Sequence, residues 1–294
     1  MFPDLIDLGF LHLRTYGACM AVGFILCWQL IERLSHRKDL SNLLMALMIS
    51  GIVGSRAAYV IEHWRAEFAA HPLSVLRVDQ GGLMFYGGLI LAIVVFCVWC
   101  FLKREKPLAL ADLLAAVIPL GHACGRIGCF FYGCCYGRDS EAWCAVVFPA
   151  GSPSWFEHGR RMVPVLPTQL FEAAALLALF AVTVTLFRFQ RNHKSQISNC
   201  ITSVDTSAPA RSASSLHSKT LPPHFFTFHL SLFTSGLVTG VYLAGYAVIR
   251  FGIEYLRGDP RAAVGPFSIS QTISLFMFIT GAALVALAYH RRRG

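Results

Sequence analysis

Tyr246, Arg250, Glu254 and Arg257 lie at i, i+4, i+8 and i+11 of a long apolar stretch, the spacing that puts side chains on one face of a helix. A second apolar stretch carries His122 and Arg126 four residues apart, with glycines at 125, 128, 133 and 137. Arginine at the centre of a membrane helix costs roughly 2.5–3.5 kcal/mol on a translocon scale, so such residues are expected to face a polar cavity or a partner. Arg126 and Arg250, on different helices, offer the bidentate geometry by which guanidinium grips a phosphate. The chemistry open to such a pair is anion binding, or stabilisation of a phosphate as it leaves an ester. Two plainer accounts stand beside it. Glu254 also suits a structural ion pair near the membrane surface, and the glycines suit tight helix packing.

The elements that hold these residues must be membrane helices. Apolar residues make up 55% of the 294 positions and charged residues 14%, against roughly 25% charged in an ordinary soluble domain. Windows of about 20 apolar residues, the length that crosses about 30 Å of hydrocarbon, recur along the whole chain. The net charge of +9 sits in alternate loops, which argues against nucleic acid as a partner. Arg33, Arg37 and Lys38 follow the first apolar run, Lys103, Arg104 and Lys106 the third, and Arg188, Arg191 and Lys194 the fifth; Arg291, Arg292 and Arg293 end the chain. The positive-inside rule places these segments in the cytoplasm.

The expected fold is therefore all-α: a polytopic bundle of seven transmembrane helices, N-terminus outside, C-terminus in the cytoplasm, with a small periplasmic cap. The helices are expected near 15–34, 40–61, 82–102, 109–131, 167–187, 230–255 and 267–289. Residues 1–137 hold the first four helices, 138–166 the cap, 167–189 the fifth helix and 227–294 the last two. Residues 190–226 are rich in Ser, Thr, His and Lys without hydrophobic periodicity and are expected to form a disordered cytoplasmic loop. No cleaved signal peptide is expected, because Asp4 and Asp7 stand where a basic n-region would be.

Ten cysteines are present, and most are expected to be small buried hydrophobes. Cys129, Cys134, Cys135 and Cys144 lack the C-x₂-C spacing of a structural zinc site, so no metal is expected. Either Cys134 or Cys135 could pair with Cys144 across the cap instead.

Seven segments, in order, carry a family resemblance: Arg14-Thr15-Tyr16-Gly17, Gly54-Ser55-Arg56, Gly81 to Gly88, Gly125-Arg126-Ile127-Gly128, Pro167 to Glu172, Tyr246 to Arg257, and Ser268 to Gln271. Together they resemble the prolipoprotein diacylglyceryl transferase family. The resemblance implies a bacterial inner-membrane enzyme that moves the diacylglyceryl group of phosphatidylglycerol to the lipobox cysteine thiol of a prolipoprotein, recognised with its signal peptide. A thioether forms and glycerol phosphate leaves, with no metal or organic cofactor. Carried over by motif, Arg126 and Arg250 match the family's essential arginines. Tyr16, Gly137, Tyr246, Glu254 and Arg257 match its other functional positions.

The chain departs from the family pattern at several points. Tyr86 replaces the usual His, and tyrosine, titrating near 10, is the poorer base at neutral pH. Cys129 stands where Asn is common, Cys134 at an acidic position, and Leu166 in place of His. The expected catalytic residues are Arg126, Arg250, Tyr86, Tyr16 and Glu254, with Gly137, Tyr246, Arg257, Cys129 and His122 binding substrate. His122 or Glu254 is a candidate for the proton-accepting role. Two other readings remain open: a transferase of the same fold with a different acceptor, and a lipid or anion transporter in which the arginines line a path.

Overall fold

The computed structural model describes residues 4–7, 12–69, 72–76, 82, 84–206, 235–259 and 263–290. Among them are the long helices α1 (Thr15–Ser35), α2 (Asp39–His63), α3 (Phe85–Lys103) and α4 (Pro107–Tyr132). A five-residue helix, α5 (Pro153–Glu157), precedes α6 (Thr168–Thr206), α7 (Leu237–Glu254) and α8 (Ile269–His290). All but α5 contain a segment long and apolar enough to cross a membrane, seven in total, and the protein is multi-pass. Three two-stranded antiparallel ladders complete the described chain: β1 (Asp4–Asp7) with β2 (His12–Arg14), β3 (Val146–Val147) with β4 (Pro164–Val165), and β5 (Ala263–Val264) with β6 (Phe267–Ser268).

Two helix ends differ from the sequence expectation. The apolar part of α6 ends at Asn192, but its backbone stays helical to Thr206, into the segment expected to be disordered. No Gly or Pro occurs from 190 to 206, so a helix already nucleated by its apolar half propagates. Residues 207–226 of that segment lie outside the described residues, as do 230–234, the expected start of the sixth spanning helix, and Arg291 to Arg293. Helix α7 stops at Glu254, so Arg257 leaves the helical face that the i+11 spacing assigned it. The helix closes with short i→i−3 bonds, Leu256 N donating to Ile253 O at 2.9 Å and Arg257 N to Glu254 O at 3.3 Å. Leu256 O then accepts from Arg138 N at 2.9 Å, which draws the chain into an extended pairing instead of another turn.

The chain divides into two compact units, Ile31–Leu110 and the remainder, Met1–Leu30 with Ala111–Gly294. In the first, α2 packs on α3. A Cβ at Gly88 would lie 2.6 Å from Gly51 O, so the Gly87-Gly88 pair of the third spanning helix serves close helix packing. Arg56, the internal cation of α2, is satisfied by backbone: Nε donates to Val75 O at 2.9 Å, Nη1 to Gly82 O at 3.1 Å and Nη2 to Ser74 O at 2.9 Å. It ties the α2–α3 connection to its own helix, a structural task.

In the larger unit, α6, α7 and α8 pack in sequence and α4 is drawn to α6 by Thr183 Oγ1, which donates to Ala116 O at 3.3 Å. The start of α7 depends on a buried carboxylate from α4. Asp112 Oδ2 accepts from Gly236 N at 2.7 Å, and its Oδ1 accepts from Thr239 N at 2.8 Å and Thr239 Oγ1 at 2.7 Å. These bonds satisfy helix donors that would otherwise be orphaned in a dry environment. Asp112→Ala is expected to destabilise the fold by about 2 kcal/mol, read as a lowered thermal midpoint in detergent micelles.

Candidate active site

Arg126 on α4, Glu172 on α6 and Arg250 on α7 converge within the larger unit. Glu172 Oε2 lies 3.0 Å from Arg126 Nε and 3.8 Å from Arg250 Nη1. Its side chain is 1% exposed, against 20% for Arg126 and 10% for Arg250. Glu254 adds a second carboxylate on the α7 face, its Oε2 at 3.1 Å from Arg250 Nη2. Arg250 Nη2 also donates to Ser270 Oγ at 2.7 Å. Four polar atoms of this cluster are buried with no hydrogen-bond partner: Arg250 Nη1, Glu172 Oε1 and both carboxylate oxygens of Glu254. A buried donor and buried acceptors without hydrogen bonds are costly, and they suit a site that receives a polar ligand.

The i, i+4 pairing of His122 with Arg126 places the imidazole against α7. Its ring centroid is 5.2 Å from that of Tyr246, and Nδ1 is 3.5 Å from Tyr242 Oη. Tyr242 and Tyr246 stack with centroids 6.1 Å apart. Tyr16, on the first turn of α1, crosses α4 at Gly128, where an added Cβ would meet Tyr16 Cδ2 at 3.1 Å. Tyr86 belongs to the smaller unit, half exposed on the first turn of α3; Gly81 and Leu83 before it lie outside the described residues.

The end of α4 shapes the rest of the site. Cys134 N donates to Cys129 O at 3.2 Å and Gly133 N to Phe130 O at 3.2 Å, the paired bonds of a Schellman motif. Gly133 supplies the required left-handed backbone, φ 79°, and Cys135 follows in the same region at φ 62°. Two side chains from the start of α6 hold this reversal. Gln169 Nε2 donates to Cys134 O at 2.7 Å, and Thr168 Oγ1 to Cys135 O at 2.9 Å. Neither of these residues emerges from spacing arguments alone.

The turn brings the sulfurs of Cys129, Cys134 and Cys135 within 4.8 Å of one another. All nine described cysteines are free, so the pairing of Cys134 or Cys135 with Cys144 considered from the sequence does not form. The reversal at Gly133 turns both vicinal cysteines toward α4 instead. Hydrogen bonds from the Cys129 and Cys134 thiols, reinforced by Arg257, hold the Cys135 thiol well below its usual range despite burial. Among the described residues, this trio is the group that could hold a metal.

Gly137 joins the pieces. It forms a β-bridge with Arg257 and donates its N–H to Leu166 O at 2.8 Å. Beyond it, Arg138 N reaches Leu256 O, and Gly258 N reaches Tyr136 O at 3.3 Å. A Cβ at Gly137 would stand 2.8 Å from both Leu166 O and Leu256 O, so the backbone contact admits only glycine. Arg257 is thereby fixed beside the cysteine turn. Its Nε and Nη2 meet Asp259 Oδ1 and Oδ2 at 2.8 and 2.7 Å, and its side chain also hydrogen-bonds Cys135.

The segment 138–166 folds on a small core of Tyr136, Phe148 and Val165, with Phe130 packed against it. His158 ties its ends, with Nε2 at 2.9 Å from Asp139 Oδ1 and Nδ1 at 2.6 Å from Ser154 O.

Seven helices long and apolar enough to cross a membrane define a multi-pass membrane protein, and its larger unit carries a buried cluster of arginines and carboxylates. The family model of prolipoprotein diacylglyceryl transferases matches residues 3–204 and 197–287. Three proteins named phosphatidylglycerol–prolipoprotein diacylglyceryl transferase are similar over nearly the whole chain. The one from Photobacterium profundum is 31% identical, covering 98% of this chain and 93% of its own length. Those from Cupriavidus necator and Geobacter sulfurreducens are 29% and 27% identical, covering 99% of this chain and 94% and 97% of their own lengths. The chain belongs to the prolipoprotein diacylglyceryl transferase family.

Two predictions follow the geometry. Gly137→Ala must push Leu166 O or Leu256 O aside, so it is expected to release the cysteine turn from Arg257 and lower activity far more than stability. Parallel measurement of thermal midpoint and turnover checks this. Burial alone would lower the His158 pKa, but its bonds to Ser154 O and Asp139 leave it raised above 6.5. A raised folded-state value contributes stability that is present in full below about pH 6.5 and lost as pH rises through the folded value. The difference in thermal midpoint between the wild type and His158→Gln is therefore expected to shrink as pH rises.

Proposed function

We propose that this protein transfers the diacylglyceryl group of phosphatidylglycerol to the lipobox cysteine thiol of a prolipoprotein, forming a thioether and releasing glycerol phosphate. The observation that carries this reading is the Arg126–Glu172–Arg250 cluster, in which Arg250 Nη1 is buried without a hydrogen-bond acceptor. A phosphate oxygen supplies that acceptor. As the carbon–oxygen bond of the donor lipid breaks, charge grows on the departing phosphate, and two preorganised guanidinium groups favour that state over the ground state. Glu172 spaces the two cations and offsets their repulsion before the lipid arrives.

The acceptor thiol has an ordinary pKa near 8.5, so the reaction needs a proton acceptor. Glu254 suits the task best: Arg250 Nη2 positions its Oε2 at 3.1 Å, and its Oε1 is buried without a hydrogen bond. His122 is engaged by two tyrosine rings, and we assign it to shaping the lipid side of the site with Tyr246. Tyr16 and Gly137 border the same region, and Arg257 supports the turn that carries Cys129. The alternating basic segments support a location in the bacterial inner membrane with the N-terminus and the 138–166 cap on the outer side.

The test is direct. Purified protein in nanodiscs containing phosphatidylglycerol is incubated with a lipobox peptide, and the thioether product is detected by mass spectrometry. Wild-type protein is expected to modify the peptide and not its Cys→Ser counterpart. Arg126→Gln and Arg250→Gln are each expected to lose at least about 10²-fold in turnover, equivalent to roughly 3 kcal/mol of transition-state stabilisation. Well-folded wild-type protein that forms no thioether would overturn the proposal.

A further inference from the structure

The cysteine turn calls for its own explanation. Three thiols converge with sulfurs within 4.8 Å of one another, and the convergence is built. Its backbone carbonyls are held by Gln169 and Thr168, each 1% exposed. Two consecutive reversals, at Gly133 and Cys135, aim both vicinal sulfurs toward Cys129. A packed core has no need of such an arrangement, since three thiols make weak hydrogen bonds and small apolar residues fill space as well.

We infer that Cys129, Cys134 and Cys135 form a three-thiolate zinc site whose fourth position takes the acceptor cysteine of the substrate. The dimensions fit: zinc–sulfur bonds of about 2.3 Å in a tetrahedron place sulfurs about 3.8 Å apart, within the spread observed. The donor type fits, because thiolates favour soft or borderline ions such as Zn²⁺. Three protein ligands with an open fourth position is the pattern of reactive zinc sites, whereas structural sites close with four. Charge fits too. Three thiolates and Zn²⁺ sum to −1, and the guanidinium of Arg257, bonded to Cys135, lies alongside.

The role of the fourth position rests on the transfer reaction proposed above. A substrate thiol bound there gives up its proton to Glu254 and becomes a zinc-bound thiolate. Its sulfur forms the new bond to the glyceryl carbon, the carbon–oxygen bond to phosphate breaks, and the electron pair leaves on the phosphate oxygen held by the arginines. No electron transfer is involved. A metal also accounts for the presence of cysteine at positions 129 and 134 together with Cys135, since no two of the three would complete the set.

The experiment uses the full chain purified in detergent under reductant. Elemental analysis is expected to find one zinc per chain, falling at least about tenfold in Cys129→Ser, Cys134→Ser and Cys135→Ser variants whose elution and circular dichroism match the wild type. Cobalt loaded in place of zinc is expected to show thiolate charge-transfer absorption, and adding lipobox peptide should shift that band while its Cys→Ser counterpart does not. Wild-type protein without zinc, zinc retained equally by the serine variants, copper in its place, or a disulfide within the trio would each overturn the metal site. A cysteine-dependent cobalt band that the peptide leaves unmoved overturns the open fourth position alone. Thioether formation by zinc-free wild-type protein sinks this inference and leaves the transferase reading intact; stoichiometric zinc without thioether formation does the reverse.

Discussion

A carboxylate that is almost wholly buried, Glu172, stands between two guanidinium groups contributed by different helices, and the rest of the site is arranged around that contact. Two arginines alone in a bundle would repel and would each carry a large desolvation cost. One shared carboxylate makes their proximity tolerable; with Glu254 also paired to Arg250 the cluster is formally neutral, so what it offers an anion is an open donor and not a net charge. The geometry is uneven in a useful way. Arg126 makes a close ion pair at 3.0 Å, while Arg250 Nη1 is held at 3.8 Å and forms no hydrogen bond. Arg126 is anchored to Glu172, while Arg250 is anchored through Nη2 to Glu254 and Ser270 and keeps Nη1 open.

That asymmetry depends on the ends of helices more than on their middles. Helix α6 contributes Glu172 one turn after Thr168 and Gln169, which grip the carbonyls of the cysteine turn. Helix α7 contributes Arg250 and Glu254, then unwinds at once so that Arg257 can pair with Gly137. The same few residues at each terminus therefore set both the anion cluster and the loop beside it. A displacement at Gly137 propagates to both, because its backbone touches the entries to α6 and the exit from α7.

The helices were legible in the sequence because hydrocarbon thickness imposes a length and a composition that few other structures share. Arg126, Arg250 and Glu254 were legible for the same reason, as charges that membrane helices do not carry idly. Arg56 shows the limit of that inference: it is equally internal, yet three backbone carbonyls satisfy it fully. Arg257 was assigned to a helical face by spacing, and the structure moves it to a β-bridge, since periodicity says nothing of where a helix stops. Glu172, Thr168 and Gln169 stood in plain view in a recognisable segment, but their importance lies in partners more than 30 positions away. Tyr242, likewise, looks like one more belt aromatic until its contact with His122 is seen.

The cysteines mark the sharpest division between spacing and shape. Read along the chain, Cys129, Cys134 and Cys135 match no metal-ligand interval, because such intervals describe ligands on a hairpin or along a helix. Here the interval spans a helix end, and a Schellman turn folds positions five and six residues apart back on the first. The reversal needs Gly133 in a left-handed conformation and two buried side chains from α6 to hold it. Arg126 precedes Cys129 by less than one turn of α4, so a cation paired with Glu172 and a cluster of three sulfurs share one helix end. In the proposed transfer of a phosphate-bearing glyceryl carbon to a thiol, those two features would serve the leaving phosphate and the incoming sulfur in turn.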